Sequence, residues 1–107
     1  MNKIYLACPY WHEDPKTRQD RFERVNIKAG ELMQKGYVVF SPISHSHPIG
    51  ETMEQKNHVF WLYQDFPMLE ACDQLWILAL EGWEQSIGVY AEIRHALKCK
   101  MPIKIEY

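Results

Sequence analysis

The chain has 107 residues, 47% of them apolar, and a formal net charge of −2. That length holds one hydrophobic core and leaves no room for a second, so residues 1–107 are read as a single domain. Acidic and basic residues are interspersed, with no basic stripe for phosphates or an anionic bilayer, which sets aside nucleic-acid polymers and membranes as partners and leaves small diffusible ligands.

The apolar run from Ile4 is stopped by Pro9, too early for a signal h-region or a membrane span, so a cytoplasmic location is expected. Cys8, Cys72 and Cys99 are odd in number and form no C-x-x-C pair, so they read as reduced thiols. A catalytic thiol at Cys8 competes with its plainer reading as a small buried hydrophobe.

Residues 3–7 read as a short apolar strand ended by Pro9. From residue 17 to 35 the apolar positions Phe22, Val25, Ala29, Leu32 and Met33 recur at three- and four-residue steps, the period of an amphipathic helix, and Gly36 supplies its stop. Residues 37–40 are β-branched and aromatic, a second strand that completes a βαβ unit. Residues 44–50 carry turn residues and no apolar period and are expected to form a loop beyond that strand. Residues 51–72 are mostly helical in composition, with Pro67 marking a kink or the first turn of a new helix. Residues 74–80 are nearly all apolar, as in a strand buried on both faces. A loop at 81–86 leads through Ser86, a good N-cap, into a helix reaching about Lys98, and residues 101–107 close the chain as an edge strand. Alternating strands and helices predict an α/β fold: a three-layer open parallel sheet of four to five strands with helices on both faces, Rossmann/flavodoxin-like.

In such sheets ligands bind outside the carboxyl ends of the strands, where residues 8–16, 41–50 and 81–85 should converge. Neither a dinucleotide fingerprint nor a phosphate-binding P-loop motif is present. Ser86 and Gly88 place a hydroxyl and free backbone N–H groups at a helix start, an anion site by its chemistry, and Glu92 lies six residues on, near the same face. On spacing alone, a capping Ser followed by a helical Glu is ordinary helix grammar.

Tyr5-Leu6-Ala7 in a first strand, Asp65 and Asp73, an apolar strand at 75–80, and Ser86-x-Gly88-x-x-x-Glu92 together resemble the nucleoside 2-deoxyribosyltransferase superfamily over nearly the whole chain. The pattern is similar to the 2'-deoxynucleoside 5'-phosphate N-hydrolases, and Gly82-Trp83-Glu84-x-Ser86-x-Gly88 resembles small uncharacterised bacterial and phage members. The resemblance implies cleavage or transfer of an N-glycosidic bond of a nucleoside or its 5'-monophosphate, with no cofactor and no metal. It implies Glu92 as nucleophile, Asp65 as the acid or sugar-orienting group, Tyr5 as the group orienting Glu92, and Ser86 with Gly88 as holders of a 5'-phosphate. Water as acceptor gives a hydrolase, a second base a transferase; another N-glycoside, such as a nicotinamide nucleotide, uses similar chemistry. Homodimers or larger homo-oligomers are implied too. Transferases of the superfamily continue past the last strand with a segment that helps complete a neighbouring subunit's site, whereas this sequence reaches Tyr107, so the resemblance stops short of that segment.

The loop after the first strand is bulky for the superfamily, and its Tyr10 and Trp11 suit stacking on a base or packing onto the core. Arg18 and Arg21 are within reach of a phosphate or simply solvated. His45 and His47, with His12 and His58 elsewhere, make a poor tetrahedral set, so His45 is expected to line the cleft rather than bind metal. Asp73 is read as a structural cap. Phe60, Trp61, Tyr63 and Phe66 suggest a subunit interface. The alternative to an enzyme is a non-catalytic nucleotide-binding module or sensor on the same fold.

Overall fold

A computed structural model describes residues 2–107. Four strands, β1 (Lys3–Ala7), β2 (Val38–Phe40), β3 (Gln74–Leu78) and β4 (Ile103–Glu106), form one parallel sheet in the order β2-β1-β3-β4. The helices are α1 (Pro15–Gln34), α2 (Pro42–Gly50), α3 (His58–Glu70) and α4 (Ile87–Lys98), with a single 3-10 turn at Trp83–Gln85. The expected α/β class with a parallel sheet is therefore the observed one, with four strands, and β4 lies at an edge as the sequence suggested.

Strand alternation assigns each side chain to one of two cores. Ile4, Leu6, Trp76 and Leu78 point to one face and pack on Val25, Ala29 and Leu32 of α1. Tyr5, Ala7, Leu75 and Ile77 point to the other and pack on Leu69 of α3 and Val89 and Ala96 of α4. Because the chain leaves β1 toward one side of the sheet and later crosses to the other, the strand order reverses between β1 and β3. A crevice at their carboxyl ends follows from that reversal.

Several expected boundaries shift for identifiable reasons. Helix α1 starts at Pro15, two residues early, because the Asp14 side chain accepts from Lys16 N at 3.0 Å and Pro15 fits the first turn. Gly36, at φ +97°, ends it as read. The larger correction concerns residues 44–50, which are not a loop. They belong to α2, opened by Ser41 as N-cap with Pro42 in the first turn and continuing through Pro48. Residues 51–72 are correspondingly less helical than expected. Helix α3 begins only at His58, where Asn57 Oδ1 accepts from Phe60 N at 3.1 Å, and it runs through Pro67 without starting a new helix.

Candidate active site

Helix α4 turns Val89, Glu92 and Ala96 inward, a three-and-four spacing that puts a carboxylate on its buried stripe. Glu92 is 5% exposed. Its partner is Tyr5, wholly buried in β1, whose hydroxyl donates to Glu92 Oε2. A carboxylate without cations in a core position strongly disfavours its charge. Burial accordingly raises Glu92 to about 8, with the Tyr5 hydrogen bond pulling the other way and the charge of Asp65 adding to the rise. Burial, and the charges of Glu92 and Asp65, hold the Tyr5 phenol well above its ordinary value.

Asp65 lies on α3, one turn before the buried Leu69, and is half-buried. Desolvation raises its carboxyl to about 6. It faces a cleft of about 330 Å³ between α2 and α3 with Phe40 of β2, Ile49, Phe60 and Trp61 among its walls. His45, Ser46 and Gln64 supply the other polar groups of that lining, which contains no lysine or arginine. Glu92 and Tyr5 sit beside it: Phe40 is a cleft wall whose ring lies 5.8 Å from that of Tyr5, and Asp65 bears electrostatically on both members of the pair. Of the three groups only Asp65 lines this aromatic-walled space, while Glu92 and Tyr5 are buried and not among its walls.

The other sequence-designated residues occupy different surroundings. Ser86 Oγ accepts from Val89 N at 3.2 Å as the cap of α4, with Gly88 in the same turn. The Tyr10 hydroxyl bonds His47 Nδ1 at 2.6 Å, and Trp11 is 59% exposed beneath the Arg18 guanidinium, 4.8 Å from its centroid. Arg18 donates to the His12 carbonyl, and Arg21 donates to the carbonyls of Tyr10, Trp11 and Glu81, at 3.3, 3.1 and 3.1 Å. Both arginines therefore brace the loop after β1. Gly82 lets this brace form: at φ +89°, an added Cβ would stand 3.1 Å from Arg21 Nη2. Cys8 is buried, and desolvation pushes its thiol to about 12, which leaves no reactive thiolate at neutral pH. Asp73 is not the cap expected of it; it accepts from Lys3 N at 2.6 Å where the neighbouring central strands β1 and β3 begin.

Sequence reasoning assigned the α3 aromatics to an interface and overlooked Gln64 and Ser46. Phe60, Trp61, Gln64, Asp65 and Met68 recur at helical spacing along the cleft side of α3, and that stripe was the available signal. Tyr63 is 80% exposed, while Phe66 stacks on His95.

Residues 2–106 match a family described as a domain of unknown function, DUF1937. The chain belongs to the DUF1937 family. No curated protein matches this DUF1937 domain. Among solved structures it is similar to a 2-deoxyribosyltransferase from the psychrotolerant bacterium Bacillus psychrosaccharolyticus, with a TM-score of 0.69 and 21% identity over 96% of this chain and 70% of that one. That enzyme is described as a biocatalyst for the synthesis of antiviral and antitumoral nucleosides. The DUF1937 domain thus has the nucleoside 2-deoxyribosyltransferase-like fold that its motifs resembled. Among the described residues, no helix is long and apolar enough to cross a membrane.

Proposed function

We propose that this DUF1937 domain is a cofactor-independent enzyme that breaks the N-glycosidic bond of a nucleoside through a covalent glycosyl ester on Glu92. The observation that carries this reading is the buried Tyr5–Glu92 pair with Asp65 next to it at an aromatic-walled cleft. Glu92 Oε attacks the anomeric carbon as the bond to the base breaks. The base departs with the bonding pair and takes a proton from Asp65, and the oxocarbenium-like charge is met by the carboxylate. Water or a second base then attacks the same carbon and releases Glu92, giving hydrolysis or transfer.

The pair titrates in the opposite order to its tasks. Glu92 must be ionised although it holds its proton to about 8, and Asp65 must be protonated although it loses its proton near 6. The productive form, with the proton on Asp65, is then the minor singly protonated one, and activity follows a bell between those two values. The Tyr5 hydrogen bond favours the ionised carboxylate and so enlarges that fraction.

A neutral nucleoside suits the cleft better than a 5'-monophosphate, because no cation lines it and Arg18 and Arg21 are engaged by backbone carbonyls. Phe60 and Trp61 are the stacking surfaces for a base; His45 and Gln64 offer groups to its edge. In this scheme Tyr10 and Trp11 lie outside the cleft, in the loop that Arg18 and Arg21 brace, and Ser86 with Gly88 orient α4. The enzyme acts in the cytoplasm as a homo-oligomer, for which exposed Tyr63, Ile87 and Tyr90 on α3 and α4 offer apolar contact area.

Its burial favours a second reading for Glu92, that of a neutral core group beneath a binding module. Incubating the protein with ribo- and deoxyribonucleosides and their 5'-monophosphates, with and without an added acceptor base, separates the two. Base release or exchange from nucleosides that disappears in Glu92→Ala is the expected result. Binding without turnover, equal in both proteins, would overturn the enzyme.

A further inference from the structure

Helices α3 and α4 lie on one face of a parallel sheet and each leads into a strand, so their last turns come together at the end of the molecule away from the strand carboxyl ends. There Glu70, the last residue of α3, meets His95 and Cys99, which stand one turn apart at the end of α4. One carboxylate oxygen, one ring nitrogen and the thiol sulfur of these residues all lie within 4.8 Å of one another. The His95 ring is held in plane by stacking on Phe66, 4.1 Å centroid to centroid and 9° from parallel, with Nε2 aimed at Glu70 Oε2 2.7 Å away.

The geometry points to a binding site for a zinc-class divalent cation formed by Glu70, His95 and Cys99, with a fourth position left to water. Thiolate, imidazole and carboxylate together are the donor set that a borderline-soft tetrahedral ion selects over magnesium or calcium. Bonds of about 2.0–2.3 Å space such ligand atoms about 3.3–3.6 Å apart, so the Glu70–His95 pair must open from 2.7 Å and the thiol draw in, both by rotation of Glu70 and Cys99, which are exposed. The ring that must not move is the one already fixed by Phe66. Two helix carboxyl ends converge there, and their partial negative charge, together with a carboxylate at the end of α3, favours a cation at this point. This cluster is independent of the cleft and of the reaction proposed for it.

Titration of the full chain with cobalt(II) tests the assignment, since a thiolate–cobalt bond gives a near-ultraviolet charge-transfer band and four-coordination gives intense visible bands. The expected result is both signals saturating at one equivalent, displacement by zinc(II), loss of the charge-transfer band in Cys99→Ser, and binding weakened about tenfold or more in Glu70→Gln. Both substitutions are at exposed positions and leave the fold intact by thermal melting. Absence of the charge-transfer band, its survival in Cys99→Ser, or unchanged affinity in Glu70→Gln would each overturn the site and leave a plain His95–Glu70 ion pair.

Discussion

Among the described residues, Glu92 and His47 are the two buried side chains that carry titratable polar groups on the inner faces of their helices, and they are treated in opposite ways. His47, 9% exposed, is surrounded: Tyr10 bonds Nδ1, Gln19 Oε1 and Glu51 Oε1 stand 3.1 and 2.9 Å from Nε2, and Phe22 stacks on the ring at 4.1 Å. Among the described residues, Glu92 has a single hydrogen-bond partner, Tyr5, and a second carboxyl nearby that repels its charge. A fully satisfied buried polar group fixes structure, here by joining α2 to α1 and to the loop after β1. A carboxylate left with one neutral donor costs stability, and that cost is expected where chemistry needs an uncommitted charge. Substitutions at the two positions should therefore have opposite consequences.

The largest effect belongs to Glu92→Gln. Base release should fall by about a thousandfold or more, because the proposed nucleophile is gone while the shape remains. The same variant should be more stable than the wild type at alkaline pH. Glu92 is raised from an ordinary 4.5 to about 8 in the folded chain, so the native state binds more protons than the unfolded one between those values. Its stabilising contribution is complete below about 4.5 and drains away as pH rises to about 8, and Gln does not suffer that loss. Melting curves should show the variant gaining on the wild type by the order of a few kcal/mol across that window, and no gain in acid. An unchanged difference across pH would mean that Glu92 is not the isolated carboxyl the geometry describes.

Asp65→Asn should cost about a hundredfold in rate and change the shape of the pH profile rather than only its height. Without the Asp65 proton there is no second ionisation to close the bell on its alkaline side. Removing its charge also lets Glu92 ionise below about 8, so a bell becomes a single limb that rises with pH and then levels. A bell that persists would assign the proton donor elsewhere in the cleft.

His47→Ala tests the other side of the comparison. It deletes a stacked ring and three polar contacts, and the fold should lose roughly 2–4 kcal/mol in denaturant melts. Turnover at saturating nucleoside should stay within about threefold, because His47 touches no group of the Tyr5–Glu92–Asp65 set. A collapse of turnover with intact stability would reverse the roles drawn here.

Much of the sheet was legible because β1 and β3 are short, nearly continuous apolar runs, and α1 carries a clean period from Val25 through Leu32. Helix α2 was not. Its Ser, His, Pro and Gly content argues locally for a loop, and what holds it helical is the Ser41 cap, the early Pro42 and the contacts of His47 with residues far back in sequence. Residues 51–57 misled in the other direction, since their composition is helical but they lack the apolar period that would bury one face. At the site, the spacing of Val89, Glu92 and Ala96 already implies an inward carboxylate. Its pairing with Tyr5, 87 residues away, entered only through family resemblance, because no local pattern encodes a contact between β1 and α4.

Ser86→Ala gives the smallest effect and separates two meanings of the same residue. As the cap of α4 its hydroxyl already accepts from Val89 N at 3.2 Å, so its loss should cost about 1 kcal/mol and lower the melting temperature by roughly 4–8 °C. If Ser86 only caps, KM for a nucleoside and KM for the corresponding 5'-monophosphate should move together or not at all, since Glu92 stays two turns deeper in the same helix. A rise in KM confined to the monophosphate would mean that the helix start holds a phosphate after all. The expected outcome is the first, because the cleft contains no cation to share that charge and the capping oxygen is already engaged.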